Sequence, residues 1–323
     1  YNPGVSALSS EFNQFEIHRA GNSPQTYKND FSVVPSISNV EIEKVSERFK
    51  DGRRFDMALN SQGEKWKLSK YTNYRQIESL PVRNPSVMTA ERFKFMADHL
   101  QIKLPSPVYG KTSSDAKEVH SHKSKALLDI AAQTLEYSNN LYAELILLTT
   151  VREMKGIPLS IEDSGVEMLN WFKKTYPQVS WEGVVLDNGS GLSINSRHTP
   201  QNMTNLLREV SLKKFGPNHL WSILSISGKS GWLSKRLRDP DLVYKVWAKT
   251  GSMDYASNLA GYLISNSKKR YAFSLYFTDL EKRMKLDEKV DSASHELRRK
   301  APLWQNKSKK AQDDILALWV RTL

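Results

Sequence analysis

The hydrophobic period of this chain changes along its length, and the order of the changes limits the fold. Up to about residue 80, apolar residues alternate in short stretches such as Phe12-Asn13-Gln14-Phe15-Glu16-Ile17-His18 and Phe31-Ser32-Val33-Val34. Polar turn clusters, Gly21-Asn22-Ser23-Pro24 and Asn60-Ser61-Gln62-Gly63, separate them, which is the pattern of short β-strands. Near Pro81-Val82-Arg83-Asn84-Pro85 the alternation stops. Met88, Phe93, Met96 and Leu100 then share one face of a predicted helix over 88–100. Residues 124–152 predict two helices: Leu127, Ala131 and Leu135 recur every four residues, as do Leu141, Leu145 and Thr149. Between them lies Tyr137-Ser138-Asn139-Asn140, whose side chains compete for backbone hydrogen bonds and favour a break. A further helix spans 160–175, with Ser160 and Asp163 spaced as a loose cap, and Thr199-Pro200 opens the next. Residues 242–248, 258–264 and 271–278 read as strands, the last two joined by a turn at 265–269. Residues 313–321 predict a closing helix. Helices followed by an antiparallel meander make an α+β fold, with a domain boundary close to Leu80 and parts 1–80 and 81–323.

Composition removes several function classes. With 8 Trp, 13 Tyr and 11 Phe, the chain has too much buriable surface to be disordered. The longest apolar stretch, 141–148, is interrupted by Glu144 and is far shorter than the roughly 18 residues of a membrane helix. The net charge of +12 is spread widely, with clusters at Lys268-Lys269-Arg270, Arg298-Arg299-Lys300 and 307–310 that lack interleaved aromatics. Solvated faces and a general attraction to anionic polymers fit this better than nucleic-acid binding. Zero cysteines exclude disulfides, thiolate metal sites and a cysteine nucleophile, and they fit an extracytoplasmic home. His120 and His122 flank Ser121 without further ligands at suitable spacing, so no metal is expected. Gly228 and Gly231 lack the strand-to-helix context of a phosphate loop, so no cofactor is expected either.

Chemistry concentrates at Lys249-Thr250-Gly251-Ser252, at the end of a predicted strand. A cation, hydroxyls and a backbone unobstructed at glycine suit an extended ligand ending in a carboxylate. Ser138-Asn139-Asn140, at the break between two helices, is the second candidate. Bland readings exist for both: Ser138 or Asn140 as a helix cap, and Lys249 as a strand-edge lysine that discourages aggregation.

In this order and context the two motifs resemble the S-x-N and K-T-G elements of penicillin-binding proteins. Further stretches resemble the class C low-molecular-mass D-alanyl-D-alanine carboxypeptidase/endopeptidase family. They are Tyr1-Asn2-Pro3-Gly4-Val5-Ser6-Ala7-Leu8, Pro81 to Pro85, Tyr137 to Glu144, Asp187-Asn188-Gly189-Ser190-Gly191-Leu192-Ser193, Ser227-Gly228-Lys229-Ser230-Gly231-Trp232-Leu233 and Ala248 to Ser252. The resemblance implies a transpeptidase-like domain with an antiparallel sheet, carrying part of a β-rich accessory insertion. It implies an exported serine hydrolase acting on peptidoglycan stem peptides and acylated by β-lactams. In it Ser138 would relay a proton to the leaving amine, Asn140 would hold the substrate amide, and Lys249 would keep the hydroxyl network positive. Thr250 and Ser252 would receive the terminal carboxylate beside Gly251, with the Ser252 N–H as one oxyanion donor.

The family's third element, S-x-x-K, occurs at Ser114-Asp115-Ala116-Lys117, Ser211-Leu212-Lys213-Lys214 and Ser265-Asn266-Ser267-Lys268. None has the required context, a helix entering an apolar core with both side chains on one face. The nucleophile is therefore expected upstream of Tyr1, with an open apolar groove beside the leucines of 127–148. The other implied possibility is a non-catalytic peptidoglycan-binding or scaffold protein derived from this fold.

Overall fold

The computed structural model describes residues 4–19, 31–34, 40–47, 49, 55–60, 63–69, 77–288 and 292–323. The chain divides into two compact units, Tyr1–Ser124 and Lys125–Leu323.

The first unit is built on two small sheets. Strand β1 (Gln14–Arg19) pairs antiparallel with β2 (Phe31–Val34) and with β6 (Ile77–Pro81). In the other, β5 (Gly63–Ser69) lies antiparallel to β4 (Phe55–Asn60) and parallel to β3 (Val40–Val45). The alternation seen in the sequence is the burial pattern: Phe15 and Ile17 of β1 meet Trp66 and Leu68 of β5 in one core. The turn clusters at 21–24 and 61–62 lie outside the described residues.

Helix α1 (Pro85–His99) belongs to this unit, so the division falls at Ser124 and not near Leu80. The reason is a buried acid on β5. Glu64 accepts from the backbone N–H of Arg83 (2.6 Å) and of Asn84 (2.9 Å), and from the Trp66 indole (3.2 Å), fixing the entry of α1. Met88 then enters the same core, whereas Phe93, Met96 and Leu100 stand exposed.

In the second unit α2 (Leu127–Tyr137), α3 (Asn140–Lys155), α4 (Ile161–Thr175) and α5 (Pro200–Ser211) precede an antiparallel sheet. Its order is β10-β9-β8-β7, with β7 (Ser225–Ile226), β8 (Val246–Met253), β9 (Ala256–Ile264) and β10 (Arg270–Thr278). Helices α6 (Leu280–Glu288) and α7 (Ser292–Thr322) follow. The sheet is apolar on both faces. Leu259, Leu263 and Phe273 pack with Leu316 and Val320 of α7, while Tyr262, Ala260 and Ala272 pack with Leu207 and Met203 of α5 and Leu135 of α2. Helix starts follow the expected caps: Ser160 accepts from Asp163 N–H, and Thr199 and Asn202 form a capping box. Two boundaries differ. The strand expected over 242–248 starts at Val246 and runs on to Met253, because Lys249 to Met253 continue the ladder with β9. The closing helix starts at Ser292 and passes through Pro302, well before Asp313.

Candidate active site

Helix α2 ends because Ser138 takes a left-handed conformation (φ 57°, ψ 50°), a position glycine usually fills. A serine there carries a small backbone penalty that its hydroxyl has to justify. The cap of α3 is neither Ser138 nor Asn140 but Asn139, whose Oδ1 accepts from Tyr142 N–H at 3.0 Å. This leaves the Ser138 hydroxyl free to accept a hydrogen bond from Lys249 Nζ. The ammonium also donates to the Thr250 carbonyl at 2.7 Å. Burial drives the Lys249 pKa from 10.5 down to about 8. Lys249 is thus an inward, partnered lysine and not a solvated edge residue.

Strand β8 presents this lysine from a partly open edge. On that side β7 pairs only with Trp247 and Ala248, so among the described residues no strand covers 249–253. A cavity of about 880 Å³ opens there, and Ser138, Asn140, Lys249, Thr250, Gly251 and Ser252 all line it. Leu135, Phe172, Trp181 and Leu206 give it apolar walls, and of the leucines over 127–148 only Leu135 is among its lining residues. Leu141 and Leu147 are themselves buried, whereas Leu127 and Leu128 are exposed.

Two loops lock the serine and asparagine in place. Glu144, 4% exposed on α3, accepts from Gly189 N–H (2.8 Å) and Ser190 N–H (3.2 Å). Gly189 lies so close to α3 that a Cβ would stand 2.5 Å from the Ala143 carbonyl oxygen. Gly231, at φ +51°, leaves a Cβ only 2.7 Å from the Glu136 carbonyl and 2.2 Å from Ser225 Oγ. It therefore braces α2 two residues before Ser138. Gly231→Ala is expected to cost about 1–3 kcal/mol through strain at this backbone, read as a lower denaturation midpoint; an unchanged midpoint would show that the loop relaxes freely.

Other groups of the cavity wall had no clear sequence signal. Asn258, opposite Gly251 in the ladder, has a buried Oδ1 without a hydrogen-bond partner. His198 Nε2 lies 2.5 Å from the Tyr276 hydroxyl, and burial lowers the His198 pKa and raises that of Tyr276. Arg236 and Lys309 line the cavity as well. Glu144 was visible as the acid interrupting an apolar run, but the loop it holds was not.

None of the S-x-x-K serines lines the cavity. Ser114 is exposed in the first unit, Ser211 donates to the Arg208 carbonyl at the end of α5, and Ser265 is buried in the β9–β10 turn. Among the described residues no cluster of His, Asp or Glu could hold a metal ion, and no helix is long and apolar enough to cross a membrane.

Residues 72–297 match the D-Ala-D-Ala carboxypeptidase 3 (S13) family. The D-alanyl-D-alanine carboxypeptidase DacB of Haemophilus influenzae is 28% identical over 171 residues, which are 51% of this chain and 35% of that protein. The D-alanyl-D-alanine carboxypeptidase of an Actinomadura species is 30% identical over 171 residues, 50% of this chain and 30% of that protein. The chain thus spans about a third of the length of these curated relatives. Its fold is that of penicillin-binding protein 4 from Haemophilus influenzae, with a TM-score of 0.69 at 20% identity over 94% of this chain and 68% of that one. The same protein has been crystallised in complex with a β-lactam.

Proposed function

The chain belongs to the D-Ala-D-Ala carboxypeptidase 3 (S13) family, and from that premise we propose that it serves a serine-type D-Ala-D-Ala carboxypeptidase or endopeptidase acting on peptidoglycan stem peptides. The observation that carries this reading is the Lys249–Ser138 hydrogen bond at the open edge of β8. A D-Ala-D-Ala tail lies along that edge with its carboxylate at Thr250 and Ser252, close to the Lys249 charge. Asn140 holds the amide of the peptide. An attacking serine that lies outside these residues adds its oxygen to the penultimate carbonyl carbon while its proton passes into the Ser138–Lys249 hydroxyl network, and the oxyanion is met by the Ser252 N–H. When the C–N bond breaks, Ser138 passes a proton to the departing amine of D-Ala, and water then hydrolyses the acyl-serine. A desolvated lysine suits this relay, since a pKa near 8 lets Lys249 keep its proton at neutral pH while polarising Ser138.

The reading needs an attacking serine that faces the cavity, and Ser114, Ser211 and Ser265 do not. It therefore places the nucleophile in sequence upstream of Tyr1, and the protein outside the cytoplasm, where its substrate lies. In this view the second unit supplies the larger part of the peptidase domain, and the β-rich strands of the first are the remainder of an accessory insertion. Labelled penicillin tests it. A protein extended upstream to include an S-x-x-K serine should form a stable adduct, which Lys249→Ala abolishes; residues 1–323 alone should form none. An adduct on the 323-residue chain would make one of the three serines the nucleophile. No adduct on the extended protein, with peptide binding intact, would turn the reading to a non-catalytic peptide binder.

A further inference from the structure

The loop that follows α5 holds two large apolar side chains in solvent with lysines between them. Leu212 is 78% and Phe215 50% exposed, and Lys213 and Lys214 are exposed as well. The β9–β10 turn adds Lys268, Lys269 and Arg270, all exposed. Ring contacts join loop and turn into one surface. His219 Nδ1 lies 3.0 Å from the Lys213 carbonyl oxygen, and its ring stacks on Trp221 at 4.0 Å. The Arg270 guanidinium lies 4.0 Å from the centre of the same Trp221 ring, so the fold supplies the aromatic that this basic cluster lacks in sequence. Among the described residues none of the five cations takes part in an ion pair. Lys213 Nζ sits 4.5 Å over the Tyr176 ring, which leaves its charge in place. Glu209, the acid closest in sequence to the loop, is held by Gln178 (2.6 Å) and Arg208 (3.3 Å). The turn itself is fixed: Ser265 N–H donates to the Lys269 carbonyl (3.0 Å) and Asn266 N–H to the Val320 carbonyl of α7 (2.7 Å). Lys268 keeps its place there at φ 66°, a conformation that glycine adopts more easily.

We infer that this surface attaches the protein to an anionic phospholipid bilayer. The five cations meet the lipid phosphates, while Leu212 and Phe215 enter the boundary between headgroups and acyl chains. The combination selects a bilayer. A soluble anionic polymer answers the cations but gives the two exposed apolar side chains nothing to enter. The inference does not depend on the peptidase reading, yet the geometry is compatible with it. Ser274 of β10 is in register, through Ala260, with Lys249, and four residues, about 13 Å of strand, separate it from Arg270. From Lys249 the open edge runs to Met253, away from the turn. A protein held by Lys268, Lys269 and Arg270 therefore keeps that edge clear of the lipid.

Flotation of the intact protein with lipid vesicles tests this. Vesicles of mixed phosphatidylglycerol and phosphatidylcholine should carry the protein, vesicles of phosphatidylcholine alone should not, and binding should fall as salt rises. The double variant Lys268→Gln/Lys269→Gln should weaken binding about thirtyfold, from a roughly fivefold effect of each charge near a lipid surface. Lys307→Gln/Lys310→Gln takes the same charge from α7 and should change binding little. All these side chains are exposed, and an unchanged melting temperature shows that each variant is folded. An equal loss in both double variants means that net charge alone attracts the protein, and it overturns the surface. Phe215→Ser separates a bilayer from a soluble polyanion. It should weaken vesicle binding by about tenfold, the effect of one buried aromatic side chain, and leave binding to soluble polyphosphate unchanged. Vesicle binding that Phe215→Ser does not alter, or no binding to the anionic vesicles at all, overturns the bilayer. In that case polyphosphate binding that is lost in Lys268→Gln/Lys269→Gln puts a polyanion in its place.

Discussion

Replacing Glu144 by alanine should lower the melting temperature of the second unit by on the order of 10 °C and release the loop over 187–193. The carboxylate is buried and accepts two backbone N–H groups, from Gly189 and Ser190. Alanine leaves both part-buried donors without this acceptor, and it opens a cavity under the loop. Losing hydrogen bonds to such a group costs about 3 kcal/mol or more, and each kcal/mol moves the midpoint by about 2–4 °C in a unit of this size. Glu144→Gln keeps one acceptor oxygen but turns an amide donor toward the other N–H, so it should cost roughly half as much. Hydrogen exchange gives the sharper readout. The Gly189 and Ser190 amides should lose protection in Glu144→Ala before the rest of α3 does. Unchanged exchange at these two amides would mean that the close approach of Gly189 to the Ala143 carbonyl, and not the carboxylate, holds the loop.

The same residue shows how far the sequence could be read. Local signals carried over well: the break at Ser138 to Asn140, the Ser160 and Thr199 caps, and the β9–β10 turn all rest on interactions within a few residues. The cluster Lys249-Thr250-Gly251-Ser252 lines one cavity with Ser138 and Asn140. What stayed hidden depends on distant partners. Glu144 is an ordinary helical acid until the 189–190 backbone reaches it. Glu64 looks like a solvated strand residue, yet it draws α1 into the β-rich unit and moves the division to Ser124. The strand expected to end at Ala248 continues through Gly251 and Ser252, because these pair with Asn258 and Ser257 of β9. The parallel pairing of β3 with β5 likewise follows from sheet packing, which no short window contains.

Lys249→Met should make the protein more stable and unable to bind its ligand. The ammonium is held in the cavity wall by the Ser138 hydroxyl and the Thr250 carbonyl, and among the described residues no carboxylate lines the cavity to offset its lost hydration. Methionine fills a similar volume without a charge to desolvate, and such exchanges stabilise by about 1–3 kcal/mol. The pH dependence separates this from simple repacking. The folded-state pKa of about 8 lies below the ordinary 10.5, so between these values the unfolded chain holds a proton that the folded chain has released. Stability of the unaltered protein should therefore rise from pH 8 to 10.5 and carry the full penalty below pH 8. The Lys249→Met protein should lose that rise. Peptide affinity should move the other way, falling as the pH passes about 8, because only the ammonium answers a terminal carboxylate. A protein that gains stability and loses ligand over the same pH interval keeps a charge where binding needs it and folding does not. If the melting curves of the two proteins run parallel from pH 8 to 10.5, Lys249 is better solvated than its position in the cavity wall implies, and the electrostatic basis of the site is wrong.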